Sequence, residues 1–257
     1  MNIKDKNNKF LIGQLSDPNI KVLEQYFDKF IDLNNTIHWN LDTNILLIND
    51  KIYNPKSIFM RYNVFEESTW IKYYNFYLIR NYILINNIKE YNKKHKSLEV
   101  DKLYNLHVAK EIGLNTPETE YGVKTEKTNT ILKPVTGGAH AVEGNESVHP
   151  SIIQQKIQGM NKRLFIIKNK TFCFDILSST LDYRDDKNTT VEIGQMDTQT
   201  IKNSKKLTKK LNLNFCALDF INVGNTNWFL EVNNMPMFAA FNANTNNALA
   251  ETIYREL

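Results

Sequence analysis

The sequence predicts an α+β fold with a largely antiparallel sheet. Three observations carry this. From Asp101 onward the elements run helix, strand, loop, strand, hairpin, helix, hairpin. The strands of each hairpin adjoin across short turns, at Lys168–Lys170 and at Gly224–Thr226. Hydrophobic residues make up 42% and aromatics 11% of the 257 residues, enough to build a core in one large domain or two smaller ones.

The elements follow in order. The first ~95 residues are irregular and aromatic. FLIG (Phe10–Gly13) and ILLI (Ile45–Ile48) read as short buried strands, and KSIFMRYNVF (Lys56–Phe65) as a strand with Arg61 in its middle. Trp70–Tyr91 is helix-like, with apolar residues on more than one side, which predicts that it is mostly buried. The polar run Asn92–Ser97 suits a linker. In VDKLYNLHVAKEIGLNTPET, Asp101 is the N-cap of a helix with an apolar stripe at Leu103, Leu106, Ala109 and Ile112. Gly113 stops it and Pro117 lies just beyond. TILKPVTGG is a strand entering a glycine loop, SIIQQKI is a strand, and RLFIIKNKTFCFDIL is a hairpin. A helix is expected over Thr200–Asn212, a second hairpin over NFCALDFINVGNTNWFLEVNN, and a short helix over Ala248–Leu257.

Composition narrows the function. The net charge is +4 and the lysines are spread along the chain, so no basic patch demands a nucleic acid. Cys173 and Cys216 lie in apolar runs and read as free thiols. The N-terminus lacks an apolar signal region, and no apolar run reaches the ~18 residues of a membrane span, so a cytoplasmic protein is expected. There is no GxxxxGK[ST], no GxGxxG followed by an acid, no HExxH and no GxSxG, and the five histidines are scattered.

The chemistry concentrates in the last hairpin. Glu231 and Asn233 share one face of a strand, and Asp219 lies on the partner strand. A turn of three or five residues places Asp219 and Glu231 on the same face, whereas a turn of four separates them. Two carboxylates and an amide oxygen are hard donors that suit Mg²⁺, whose remaining positions are typically filled by phosphate and water. Lys133, in a strand before Thr136-Gly137-Gly138, can reach phosphate oxygens under the loop amides. Lys102 opens a helix, where its charge opposes the dipole, and that unfavourable position hints at a functional role.

These parts, in this order, resemble the ATP-grasp superfamily, and more narrowly its RimK-type branch with the graspetide (microviridin-type) peptide ligases. The likeness rests on DKLYNLHVAKEIGLNTPET, TILKPVTGG, SIIQQKIQGMNKRLFII, FDILSSTLDYR and LDFINVGNTNWFLEVNN, with SIFMRYNVF resembling an arginine-bearing strand of the family's N-terminal domain. It implies an N-terminal α/β domain over residues 1–95, a central subdomain over 96–150 and a C-terminal subdomain over 151–257, the last two clasping ATP. Lys102 and Lys133 would hold phosphates, and Gln154, Gln155, Lys156 and Ile157 would form the adenine hinge. Asp219, Glu231 and Asn233 would hold Mg²⁺. Arg163 and Arg184 would face the γ-phosphate and the acceptor carboxylate.

The reaction implied is ATP-dependent ligation of a carboxylate to an amine or hydroxyl through an acyl phosphate, on a ribosomally made precursor peptide with a leader. The alternatives are ligation of a free amino acid to a small acid or protein tail, and a non-catalytic ATP-binding partner protein. A homodimer is compatible with the sequence. The chain departs from the family pattern at Gln155, often Glu, at Lys162, usually aliphatic, and at Met235-Pro236-Met237-Phe238, which replaces a Gly-Gln-type turn.

Overall fold

The computed structural model describes residues 8–62, 70–93, 101–135, 140–180 and 183–257. The Thr136–Gly138 loop, residues 94–97 of the expected linker, and the end of the expected strand beyond Tyr62 lie outside the described residues. The chain divides into two compact units: Met1–Lys93 with Met237–Leu257, and Lys94–Pro236.

The first unit contains β1 (Lys9–Gly13), α1 (Pro18–Glu24), β2 (Lys29–Asp32), β3 (Ile37–Asn40), β4 (Ile45–Ile48), β5 (Lys51–Tyr53), β6 (Ser57–Met60) and α2 (Trp70–Ile85). β1 is the middle strand of a parallel sheet ordered β2-β1-β6, and β3, β4 and β5 form an antiparallel meander. A central parallel strand is covered on both faces, which is why the apolar run Phe10-Leu11-Ile12 is buried throughout. Gly13 permits the packing of α1: a Cβ there would stand 2.5 Å from Ile20 Cδ1 and 3.1 Å from the Arg61 carbonyl oxygen. The burial expected of α2 holds for one side only. Phe76, Ile79, Tyr82 and Ile83 are buried, while Trp70, Ile71, Tyr74, Leu84 and Ile85 are exposed.

The second unit begins with α3 (Lys102–Ile112). The Asp101 carboxylate accepts from Tyr104 N–H, and Gly113 closes the helix in the left-handed region at φ 88°. There follow β7 (Thr119–Lys124), β8 (Thr130–Lys133), β9 (Val142–Glu143), β10 (Glu146–Gln155), β11 (Met160–Ile167), β12 (Lys170–Leu177), β13 (Thr190–Ile193), α4 (Thr198–Lys210), β14 (Phe215–Val223) and β15 (Thr226–Asn233). They build two antiparallel sheets, β7-β10-β8-β9 and β13-β12-β11-β14-β15. The sequence boundary at 150 falls inside β10. α4 starts two residues earlier than expected because Asp197 caps it, accepting from Thr200 N–H. α3 and α4 cover one face of the five-stranded sheet through a core of Leu106, Val108, Ala109, Leu164, Leu207, Leu218, Phe220, Phe229 and Val232.

The chain then rejoins the first unit with α5 (Ala239–Asn242) and α6 (Ala248–Glu256). The Asn19 side-chain oxygen accepts from Phe238 N–H at 2.6 Å and Ala239 N–H at 2.9 Å. Phe238 is fully buried, and Tyr91 O–H donates to the Ile253 carbonyl at 2.7 Å. Beneath them Arg61 and Asp17 form a buried ion pair at 2.5 Å, and Arg61 Nη2 lies 2.8 Å from Met237 Sδ. The Met-Pro-Met-Phe departure therefore has a structural role, which is to seat the returning chain. The segment from Met237 onward packs with the first unit, where the sequence had grouped it with residues 151–257.

Candidate functional site

The β14–β15 hairpin turns through two residues, Gly224 and Asn225, with Gly224 at φ 58°. Below the turn Phe220 pairs with Phe229; the register then slips by one, so that Asp219 pairs with Glu231 and Ala217 with Asn233. The surplus residue is Leu230. An even turn alone would have set Asp219 against Leu230 and turned Glu231 to the other face. The bulge restores the shared face that the sequence reading sought from an odd-numbered turn.

A row of charge results. Arg163 on β11 lies opposite Asp219 on β14, which lies opposite Glu231 on β15. Their strand neighbours Leu164, Leu218, Phe220 and Val232 point into the helical core, so this row faces away from α3 and α4. Arg163 Nε and Nη2 donate to Asp219 Oδ1 and Oδ2 at 2.7 and 2.9 Å, a bidentate pair. Asn233 Nδ2 donates to the same Oδ2 at 2.9 Å. Lys102, the first residue of α3, places Nζ 3.4 Å from Glu231 Oε2. The helix is held to this strand beyond its end, where Phe229 N–H donates to the Asn115 carbonyl at 2.8 Å. The order of signs is plus, minus, minus, plus: Arg163, Asp219, Glu231, Lys102.

Arg163 is buried, and burial opposes its charge. Against that penalty Asp219, through its charge and its hydrogen bonds, acts with Tyr183 and Glu231 to hold the guanidinium above its usual range. Its other face looks onto the Tyr183 ring, with Cζ 5.7 Å from the ring centre. Tyr183 belongs to a one-turn 3₁₀ helix, Tyr183–Asp185, that also carries the Arg184 backbone; the Arg184 side chain lies outside the described part. Asp186 organises this loop. It accepts from Ser179 N–H at 2.7 Å, Ser179 Oγ at 2.8 Å, Asn188 N–H at 2.8 Å and Ser178 Oγ at 3.3 Å. The Ser179 N–H leads the donors that hold its carboxyl down at about 2. Ser178 and Ser179 thus serve the loop. His140, on the segment after β8, lies 2.9 Å from Asp185.

The second cluster sits on the four-stranded sheet. Lys133 Nζ donates to Gln154 Oε1 at 2.9 Å, and Gln154 Nε2 donates to Thr119 Oγ1 at 3.0 Å. Gln154 is fully buried, so its side chain positions Lys133. Next to it, Gln155 N–H donates to the Glu118 carbonyl at 2.8 Å and Lys156 N–H to the Asn129 carbonyl at 2.9 Å. Lys156 Nζ pairs with Glu143 at 2.5 Å, and Ile157 is half-buried.

The structure therefore brings Lys102, Arg163, Asp219, Glu231 and Asn233 together on one sheet face, and joins Lys133 to Gln154 on the other sheet. The donors of the first group suit a hard divalent ion: two carboxylates and, since Asn233 turns its Nδ2 to Asp219, the amide Oδ1. Among the described residues no three His, Cys, Asp or Glu side chains come together to hold a metal, so the described part of the site offers two acids, Asp219 and Glu231. Sequence reasoning missed Tyr183, whose only signal was its place in an Asp-aromatic-Arg pattern. It also missed Thr119, Asp186 and the Leu230 bulge, the last of which leaves no mark in the sequence.

No family model matches the sequence, and no curated protein matches it. Solved structures do. The ATP-grasp ligase PsnB, complexed with minimal precursor, Mg and ADP, superposes with a TM-score of 0.76 at 16% identity, over 97% of each chain. The macrocyclase MdnC bound with precursor peptide MdnA, from Microcystis aeruginosa MRC, gives 0.71 at 16% identity, over 96% of this chain and 98% of MdnC. D-alanine–D-alanine ligase from Bacillus anthracis gives 0.61 at 15% identity, over 96% of each chain. The chain has the ATP-grasp fold.

Within the ATP-grasp fold, Lys162 departs from the pattern without disturbing it. It stands one residue before Arg163 and points to the opposite face, where Nζ lies 2.5 Å from Asp175 Oδ1 and 3.0 Å from the Gln195 carbonyl. A lysine replaces an aliphatic side chain there because β12 supplies its counter-ion. Gly194 leaves room for that carboxylate, since a Cβ would stand 2.2 Å from Asp175 Oδ1.

Proposed function

We propose that this chain is an ATP-dependent carboxylate ligase that joins side chains of a ribosomally made peptide through an acyl phosphate. The charged row carries the reading. The reaction assembles a polyphosphate and a carboxylate, all anionic, and such a site must supply fixed positive charge and a divalent cation. Arg163 and Lys102 supply the charge. Asp219, Glu231 and Asn233 would hold Mg²⁺, which when bound neutralises phosphate oxygens. Lys133, held by Gln154, would reach the phosphates from the four-stranded sheet, and residues 154–157 would meet the adenine. Arg184 would receive the acceptor carboxylate.

A carboxylate oxygen of the substrate attacks the γ-phosphorus, and the bond to the β-bridging oxygen breaks, releasing ADP. A side-chain amine or hydroxyl then attacks the acyl carbon, phosphate leaves, and the nucleophile gives up one proton. Each amide or ester so formed lowers the peptide mass by one water. The likeness to PsnB and MdnC favours a precursor peptide over a free amino acid, since the TM-score for D-alanine–D-alanine ligase is lower. The test incubates the protein with ATP, Mg²⁺ and candidate precursor peptides carrying a leader. ADP release coupled to loss of water supports the reading; ATP binding with no ADP from any acceptor overturns it in favour of a non-catalytic partner.

Self-association is part of the same proposal. Trp70, Ile71, Tyr74, Leu84 and Ile85 expose 75, 61, 62, 44 and 65% of their surface along α2. Together they offer several hundred Å², close to one partner's share of a standard interface, roughly 800 Å². A second copy of α2 laid antiparallel would set each Trp70 end against the other's Ile85 end, an apolar match with itself.

A further inference from the structure

We infer that the protein's own cations close the metal site, and that a divalent ion enters it only together with a polyphosphate that takes up Lys102. This rests on the ligase reading for the identity of the phosphate ligand, but the closure itself is a property of the row.

The charges decide the matter. Asp219 and Glu231 contribute two negative charges, and Arg163 and Lys102 contribute two positive ones within ion-pair distance. Asp219 is fully engaged: two guanidinium nitrogens and the Asn233 amide donate to its two oxygens at 2.7 to 2.9 Å. Glu231 is held differently, by a single ammonium at 3.4 Å, with 16% of the lysine and 26% of the glutamate side chain exposed. A bare divalent ion therefore meets a neutral cluster with a cation on either side. With no third acid among the described residues, the carboxylates alone do not draw the ion in against those cations.

Phosphate changes the balance. A polyphosphate brings the negative charge that Lys102 would otherwise lose, so the ammonium can leave Glu231 without being stranded, and Glu231 becomes free for the metal. The two exchanges are linked, and each ligand makes the other's site available. Lys102 is the cation that moves. Its contact is the longer one, made by a flexible stem with three rotatable donors, whereas Arg163 is fixed by its bidentate fork and by Tyr183. The position of Lys102 at the first turn of α3 adds to this, because the helix dipole repels it and favours an anion in its place.

The experiment titrates the intact protein with Mn²⁺, a paramagnetic stand-in for Mg²⁺, and counts free ion by electron paramagnetic resonance, with and without ADP, the Mn²⁺ taken up by ADP alone being measured without protein and subtracted. The wild type is expected to bind Mn²⁺ weakly alone and about tenfold or more tightly with ADP. Lys102→Met is expected to bind Mn²⁺ about tenfold more tightly than wild type when no nucleotide is present, because Glu231 loses its internal partner. Lys102→Arg restores the closure, and Glu231→Gln added to Lys102→Met removes the gain. Replacing a lysine at a helix N-terminus does not endanger folding. The inference is overturned if the wild type binds Mn²⁺ alone as tightly as with ADP, or if Lys102→Met leaves the nucleotide-free affinity unchanged. Failure of ADP to bind at all would instead count against the ligase reading, and the nucleotide-free comparison of Lys102→Met with wild type would still decide the closure.

Discussion

Asp219 and Glu231 face each other across β14 and β15 because Leu230 is surplus to the ladder between them. The two acids are nevertheless unequal. Asp219 neutralises a buried arginine, whereas Glu231 meets a partly exposed lysine.

Their substitution should separate structure from chemistry. Asp219→Asn leaves Arg163 buried without its counter-ion and should cost about 2–4 kcal/mol of stability. Glu231→Gln should cost less than about 1 kcal/mol. Both should abolish ADP release. Urea denaturation alongside an ADP assay checks this; equal stability losses would contradict the difference in burial.

The pair behind the row should matter to stability and not to chemistry. Lys162→Leu leaves Asp175 unpaired and should destabilise by about 1–3 kcal/mol, while Lys162→Leu with Asp175→Leu should recover most of that loss. Thermal melts of the two single variants and the double variant give the coupling. Lost ADP release in a folded double variant would show that Lys162 reaches the site after all.

Glu90 predicts a pH dependence in the first unit. Burial raises its carboxyl to about 7, against the opposing pull of Arg80 and Lys93. The folded state thus holds the proton more tightly than the unfolded chain. Glu90 carries no penalty in acid; its penalty grows as pH rises through the ordinary carboxylate range and is complete above about 7. Glu90→Gln should therefore stabilise by about 1–3 kcal/mol at pH 8 and leave stability unchanged at pH 4. Denaturation at the two pH values measures the difference.

The exposed side of α2 predicts a change of mass in solution. Trp70→Glu with Ile85→Glu places charge in an apolar contact and should convert a dimer to a monomer in light scattering. A wild-type protein that runs as a monomer at all concentrations would refute the interface.

Much of the fold was legible in the sequence, for physical reasons. Asp101 and Gly113 bounded α3 because caps act locally. The two hairpins were readable from short turns between apolar runs. Edge strands were not: β7 and β13 are mostly exposed, carry little apolar pattern and escaped notice. The shared face of Asp219 and Glu231 was expected through the wrong device, since a bulge depends on how two strands meet rather than on either one alone. The partners within the row were also hidden. Nothing in Lys102 names Glu231, and nothing in Gln154 names Lys133, until sheet and helix bring them together.

The return of the chain at Phe238 has a consequence for biosynthesis. The second unit is an insertion within the first, so a ribosome delivers all of it while the first unit still lacks Phe238, Phe241, Leu249 and Ile253, all buried in the finished fold. Asn19, made before the second unit, must wait for the amides of Phe238 and Ala239, made after it. The unit whose synthesis begins first is thus the last that can close.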